Sequence, residues 1–261
     1  MKRVNLIICL ALVLVISLFM FFNEQSNNIL AVVVPHHNYV KKERLEFWND
    51  VIKESKIKKD KIEKVIIVGP DHFGTIKTNI SYDNTSWSTY NSKLDNFFER
   101  PDYFPGNYVL NTDLLKWDHA IANLIGEVHD NFPNAQFVPF IIGEKTSFKD
   151  LEVLIKYINE TCTKNCILVT SVDFSHYVTL DISLEQDERT INILSKKLVK
   201  ENTFNQNDTI EADSPASLYV MQEFAISKNL NWLLFNQTNS AKGNTETTDT
   251  TSHIFGAYIG K

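Results

Sequence analysis

Val65-Ile66-Ile67-Val68-Gly69-Pro70-Asp71-His72 is an unbroken apolar run that ends in an acid and a histidine. Alternating polar and apolar residues would mark a strand with one wet face. A pure Val/Ile run marks a strand covered on both faces, as in a parallel sheet flanked by helices. The pattern recurs in Val32-Val33-Val34-Pro35-His36-His37-Asn38-Tyr39 and in Leu168-Val169-Thr170-Ser171-Val172-Asp173-Phe174-Ser175-His176. Parallel sheets bind ligands at the carboxyl ends of their strands. Three strands that each carry a histidine to that edge predict one shared site, and a histidine cluster predicts a metal. Later in the chain, Thr209-Ile210-Glu211-Ala212-Asp213-Ser214-Pro215 adds carboxylates just before a helix start.

Outward from these runs, strand and helix patterns alternate. Ile29–Val34 and Lys64–Val68 read as strands, with a helix over Leu45–Lys56 between them. Helical spacing follows over Asp118–Val128, a strand over Gln136–Ile142, and a helix over Phe148–Glu160. After the strand Cys166–Ser171 come helices over Leu184–Leu198 and Ser214–Ser227, the second with Pro215 at its start, where a missing N–H is harmless. Leu230–Asn236 and Ser252–Ile259 read as terminal strands. The alternation predicts an α/β fold: a three-layer α/β/α domain with a mostly parallel central sheet. Ser81–Tyr108 has no clear period and reads as a long excursion or hairpin over the sheet edge. Its Trp87, Tyr90, Phe97 and Phe98 either line an aromatic-accepting cleft or pack the loop against the sheet.

The first 26 residues stand apart. Lys2 and Arg3 precede the 17-residue apolar stretch Leu6–Phe22, at the short end of the ~17–25 residues that cross a bilayer. No small-residue cleavage pattern follows, so an uncleaved single-pass signal anchor is expected, with the domain of residues 27–261 extracytoplasmic and a cleaved, secreted form as the alternative. The net charge of −6 argues against nucleic acid as a partner. Of three cysteines, Cys9 lies in the apolar stretch. Cys162 and Cys166 form either a small-loop disulfide or two free thiols.

The chemistry follows from residue types. His36 and His72 follow the first two strands, after Pro35 and Gly69-Pro70, which are expected to sharpen the turns. With Glu211 they would make the two-histidine, one-carboxylate set of non-haem Fe(II) sites. His176 is expected near the ion as general acid/base, supported by Asp173 and by His119 at a helix start. His37 reads as a neighbour of the first ligand; His129 and His253 have no context that raises them. A hydrogen-bonded structural role is the ordinary alternative for any single histidine.

At these residues the chain resembles the Memo family (the AmmeMemoRadiSam system protein B group), itself related in fold to class III extradiol, LigB-like dioxygenases. Pro35-His36-His37-Asn38-Tyr39 matches a Pro-His-Ala-Gly-Tyr pattern, Gly69-Pro70-Asp71-His72 matches Gly-Pro-Ser-His, and Asp118-His119 matches Glu-His-Ser. Phe137–Gly143, Ser171-Val172-Asp173-Phe174-Ser175-His176 and Gly256-Ala257-Tyr258 continue the series in order. The family's third metal-site position is often a cysteine; here Glu211 stands in its place, as in the dioxygenase relatives, with Asp213 the alternative third ligand if this short alignment is off by two. The helix after Asp118-His119 carries Ala122 and Leu124 where the family has polar residues. The resemblance implies a Memo-like metalloprotein that holds Fe(II), or copper or zinc, and acts in oxygen-dependent or redox chemistry on a small-molecule substrate. A non-catalytic iron- or copper-binding protein and a zinc-dependent hydrolase are the competing expectations.

Overall fold

The computed structural model describes residues 28–82, 108–200, 210–243 and 247–260. In chain order the elements are β1 (Ile29–Val34), α1 (Lys41–Ser55), β2 (Lys64–Pro70), β3 (Ile80–Tyr82), β4 (Tyr108–Leu110), α2 (Thr112–Trp117), α3 (His119–Ala122) and α4 (Ile125–Asn131). Then come β5 (Gln136–Ile142), α5 (Phe148–Thr161), β6 (Cys166–Ser171), α6 (Leu180–Ser195), α7 (Pro215–Ser227), β7 (Asn231–Asn239) and β8 (Ser252–Ile259). All residues of β1 and β6 are buried, as a strand covered on both faces requires. Successive side chains point to opposite faces. Thus Ala31 and Val33 pack with Leu154 and Ile158 of α5 and Met221 and Phe224 of α7. Leu30, Val32 and Val34 join Phe47 and Trp48 of α1, Ile121 of α3 and Val128 of α4 on the other side. Two helical layers enclose one sheet, in agreement with the mixed α/β architecture read from the pattern.

The eight described strands run in the order β4-β3-β5-β2-β6-β1-β8-β7. The inner four are parallel: β5 to β2, β2 to β6 and β6 to β1. Antiparallel strands flank them, β8 on β1 and β3 on β5. β3 and β4 are parallel to each other, so they are not the two arms of a simple hairpin. The connections from β1 and β2 run through α1 to α4 on one face. Those after β5 and β6 run through α5 to α7 on the other. β6 therefore sits between two strands whose chains leave in the opposite direction. Such a switch opens a crevice at the carboxyl ends of the strands.

Three local readings change. Gly69 and Pro70 belong to β2 rather than to a turn. A Cβ on Gly69 would lie 2.8 Å from Ala120 Cβ, so this glycine provides room, not bend. The helix expected over 118–128 comes as two pieces, α3 and α4, which part at Asn123 and Leu124, with the Asp118 side chain capping the first. The helix expected over 184–198 begins at Leu180 and ends at Ser195, which leaves Leu198 exposed. Cys162 and Cys166 form a disulfide between the end of α5 and the start of β6, both fully buried. Among the described residues no helix is long and apolar enough to cross a membrane. The anchor expected in residues 1–26, and the aromatic residues of 83–107, lie outside the described residues.

Candidate metal centre

His36 stands two residues past β1, with no exposed surface. Its Nδ1 lies 3.1 Å from Oγ of Ser171, the last residue of β6. That partner leaves Nε2 facing the crevice. His72, two residues past β2, is held more firmly. Its backbone N–H donates to Asp118 Oδ2 at 3.0 Å and its Nδ1 to Asp118 Oδ1 at 2.7 Å. Asp118 also accepts from Ala120 N, so one buried carboxylate caps α3 and orients the imidazole. A carboxylate behind a histidine is the usual support of a metal ligand, fixing the tautomer with Nε2 outward.

Both Nε2 atoms lie near one carboxylate oxygen. Asp213 Oδ2 lies 3.3 Å from His36 Nε2 and 3.5 Å from His72 Nε2. Asp173, past the end of β6, presents Oδ2 at 3.0 Å from His36 Nε2 and 2.9 Å from His37 Nδ1. His119 stacks on His72 with ring centres 3.7 Å apart. His253, at the start of β8, puts Nε2 3.8 Å from Asp173 Oδ1. Tyr39 Oη lies 3.1 Å from His37 Nδ1 and 3.2 Å from His253 Nε2. Three sets bring one donor atom from each residue within 4.8 Å of one another: His36, His72 and His119; His36, His37 and Asp173; and Asp173, His176 and Asp213. Six of the chain's seven histidines meet at this edge of the sheet.

The electrostatics are those of a crowded, dry cluster. Burial pushes His36 well below the ordinary histidine range, against the pull of Asp173. It pushes His253 down to about 4 and lowers His119 and His176 as well. Burial also works against a charged His72, but hydrogen bonds to Asp118 and Asp213 outweigh it and hold this imidazole at about 9. Burial raises Asp213, with the Asp173 charge adding to it. Asp173 stays low despite its own burial because the imidazoles of His36 and His37 surround it. His36 Nε2, both Asp173 oxygens and Asp213 Oδ1 are buried without an aligned hydrogen bond, although oppositely polar atoms stand at ion-pair distance. Unpaired buried polar atoms cost about 1–3 kcal/mol each. A cation bound beside them would supply a partner that the protein alone does not give. Imidazole and carboxylate together suit iron, copper or zinc.

The crevice opens on two sides. A cavity of about 910 Å³ reaches Asp213 past Asp71, Gly143 and Pro215. A second, of about 460 Å³, reaches His37 and His176 past Tyr39 and Tyr177. Tyr177 has a left-handed backbone (φ 56°), which turns the chain sharply after His176. Among the described residues the four most exposed large apolar side chains are Tyr177, Trp117, Phe73 and Tyr39. Each stands within two residues of a clustered histidine.

A family profile described as Memo-like protein matches residues 14–250. The chain belongs to the Memo-like family. It is similar to a MEMO1 family protein of Methanosarcina mazei (24% identity over 174 residues, 64% of this chain and 62% of the relative). One of Methanosarcina acetivorans is 22% identical, covering 66% of this chain and 63% of the relative. One of Thermoplasma volcanium is 25% identical, covering 76% and 73%. The match thus spans under two thirds of the two Methanosarcina relatives' length. A solved structure of an uncharacterized protein from Escherichia coli K12 aligns with 88% of this chain and 99% of that one, at TM-score 0.47 and 10% identity.

Within this Memo-like chain the structure brings His36, His72, His119, Asp173 and His176 together. Glu211 is not with them. It belongs to none of the three donor sets, and Asp213, two residues on, meets the histidines instead. The reason is a short tertiary pairing. Phe174 bridges Ala212, Asp213 N donates to Asp173 O at 3.0 Å, and Asp173 N donates to Asp213 Oδ2 at 3.2 Å. That register aims residue 213 at the crevice. His253, which sequence context did not raise, joins because β8 runs antiparallel to β1, so its first residues lie at the end of β1. His129 stays apart, 3.5 Å from Asp130.

Proposed function

We propose that this Memo-like protein holds one divalent transition ion, of iron type, on His36 Nε2, His72 Nε2 and Asp213. The observation that carries the reading is the convergence of two outward Nε2 atoms on Asp213 Oδ2 at 3.3 and 3.5 Å, each imidazole being supported from behind. The ion, once bound, would supply Lewis acidity, redox capacity and open coordination positions. The chain's own residues do the rest. Asp118 holds His72 in its metal-facing tautomer. Asp173 keeps a negative charge beside the ligands. His176, kept neutral by burial, accepts or returns a proton at the mouth of the smaller cavity. The exposed rings of Tyr39, Phe73, Trp117 and Tyr177 favour a small organic substrate with an apolar part. Oxygen-dependent or redox turnover of such a substrate is the activity we assign.

We also assign the domain to an oxidising, extracytoplasmic compartment, tethered by residues 6–22. The buried Cys162–Cys166 disulfide and the Lys2-Arg3 flank of the apolar stretch support this. The test is elemental analysis of protein purified without oxygen, followed by oxygen uptake with a panel of small chelating substrates. Stoichiometric iron with substrate-dependent uptake is expected. Bound metal without turnover would leave a metal-binding protein, and zinc with hydrolysis would replace the redox reading.

A further inference from the structure

The backbone that carries His36 is held from beneath by side chains outside the donor set. Arg44 of α1 has no exposed surface. Its Nε and Nη2 donate to the carboxylate of Glu127 on α4 at 2.8–3.1 Å. Its Nη1 turns the other way and donates to the carbonyl oxygens of Pro35, at 3.3 Å, and His37. Asn123, between α3 and α4, donates Nδ2 to the carbonyl of His36 at 2.9 Å. Three successive carbonyls, 35 to 37, are each gripped by a side chain.

We infer that Arg44, aimed by Glu127, is a positioning residue for the metal centre: it fixes the Pro35-His36-His37 backbone so that His36 Nε2 faces the shared ion. The inference rests on the metal reading above. A buried guanidinium–carboxylate pair is a poor way to join two helices, because apolar residues of similar volume do so as well or better. What apolar residues lack is a rigid fork of donors. Here the fork is split between one carboxylate and two carbonyls of the ligand segment. A lysine ammonium has no planar fork with which to grip both ends.

The test is Co(II) titration of the metal-free full chain, followed by visible absorption. Wild type is expected to bind one Co(II). The double variant Arg44→Met/Glu127→Leu removes both charges and orphans neither. It should keep the wild-type circular dichroism and a cooperative melt, while Co(II) affinity falls about 10–100-fold and the visible bands change. A role in holding helices together would leave both affinity and bands unmoved, and that result overturns the inference while the metal reading stands. Should the double variant not fold, Arg44→Lys and Asn123→Ala carry the same readout, each expected to weaken Co(II) several-fold; unchanged affinity in both overturns the inference. A wild type that binds no Co(II) overturns the metal reading together with it.

Discussion

Asp213 and Glu211 differ by two positions and lie on the same short acidic segment; Asp213 meets the histidines, and Glu211 belongs to none of the three donor sets. Which of the two would arrive was not legible in the sequence. It depends on the pairing of Ala212 with Phe174, a tertiary contact with no local signature. The histidines at strand ends were legible, since a buried strand followed by an imidazole states its own position. His253 was not, because nothing local says which strand lies beside β1. These buried imidazoles set the pH response of the metal-free protein. His253 titrates near 4 folded and near 6.5 unfolded, so the unfolded state binds more protons between those values. Its contribution is full above pH 6.5 and is lost as pH falls toward 4, roughly 3 kcal/mol in all. His72 acts in the opposite sense: its folded value of about 9 gives stability below pH 6.5 that is lost as pH rises to 9. Between them these two imidazoles favour the folded metal-free protein most near pH 6–7, which denaturant melts read. His253→Gln should flatten the acid limb, and an unaltered acid limb in that variant would contradict the assignment. Asp118→Asn should weaken divalent metal binding about 10–100-fold, because His72 loses its supporting carboxylate. Isothermal titration with Zn(II) checks this.

At the scale of elements, the Val/Ile purity of β1, β2 and β6 disclosed a sheet covered on both faces, and the structure buries these strands accordingly. The break between α3 and α4 was hidden, because the apolar spacing of Ile121, Leu124, Ile125 and Val128 runs straight through it. Asp118 separates α2 from α3 by accepting from the backbone N–H of Ala120, and the same carboxylate holds His72. Gly69 is the matching sacrifice of side-chain volume in β2. Gly69→Ala would push against Ala120 Cβ and the end of β6. It should cost about 1–3 kcal/mol by overpacking and should weaken metal binding as His72 shifts. A Gly69→Ala protein with wild-type melting and metal affinity would contradict the close approach. The Cys162–Cys166 bridge closes only a small loop. Replacing both cysteines by alanine should cost about 2 kcal/mol by chain entropy, read as a fall in Tm of roughly 4–8 °C.

At the scale of the molecule, the order of the parallel strands makes the site. β6 inserts between β1 and β2 after the chain has crossed to the other face, and the crevice forms where the two directions part. Alternation in the sequence was enough to read a layered α/β domain. It was not enough to read strand order, which depends on pairings between segments more than a hundred residues apart. The Memo-like family profile spans this frame, over residues 14–250. The reading of function turns on whether two imidazoles and Asp213 share one ion. Co(II) titration of metal-free wild type, Asp213→Asn and Glu211→Gln decides it. One ion per wild-type chain, binding weakened at least about 10-fold in Asp213→Asn and unchanged in Glu211→Gln, is the predicted result. No binding by wild type, or loss in Glu211→Gln with Asp213→Asn unaffected, would contradict it.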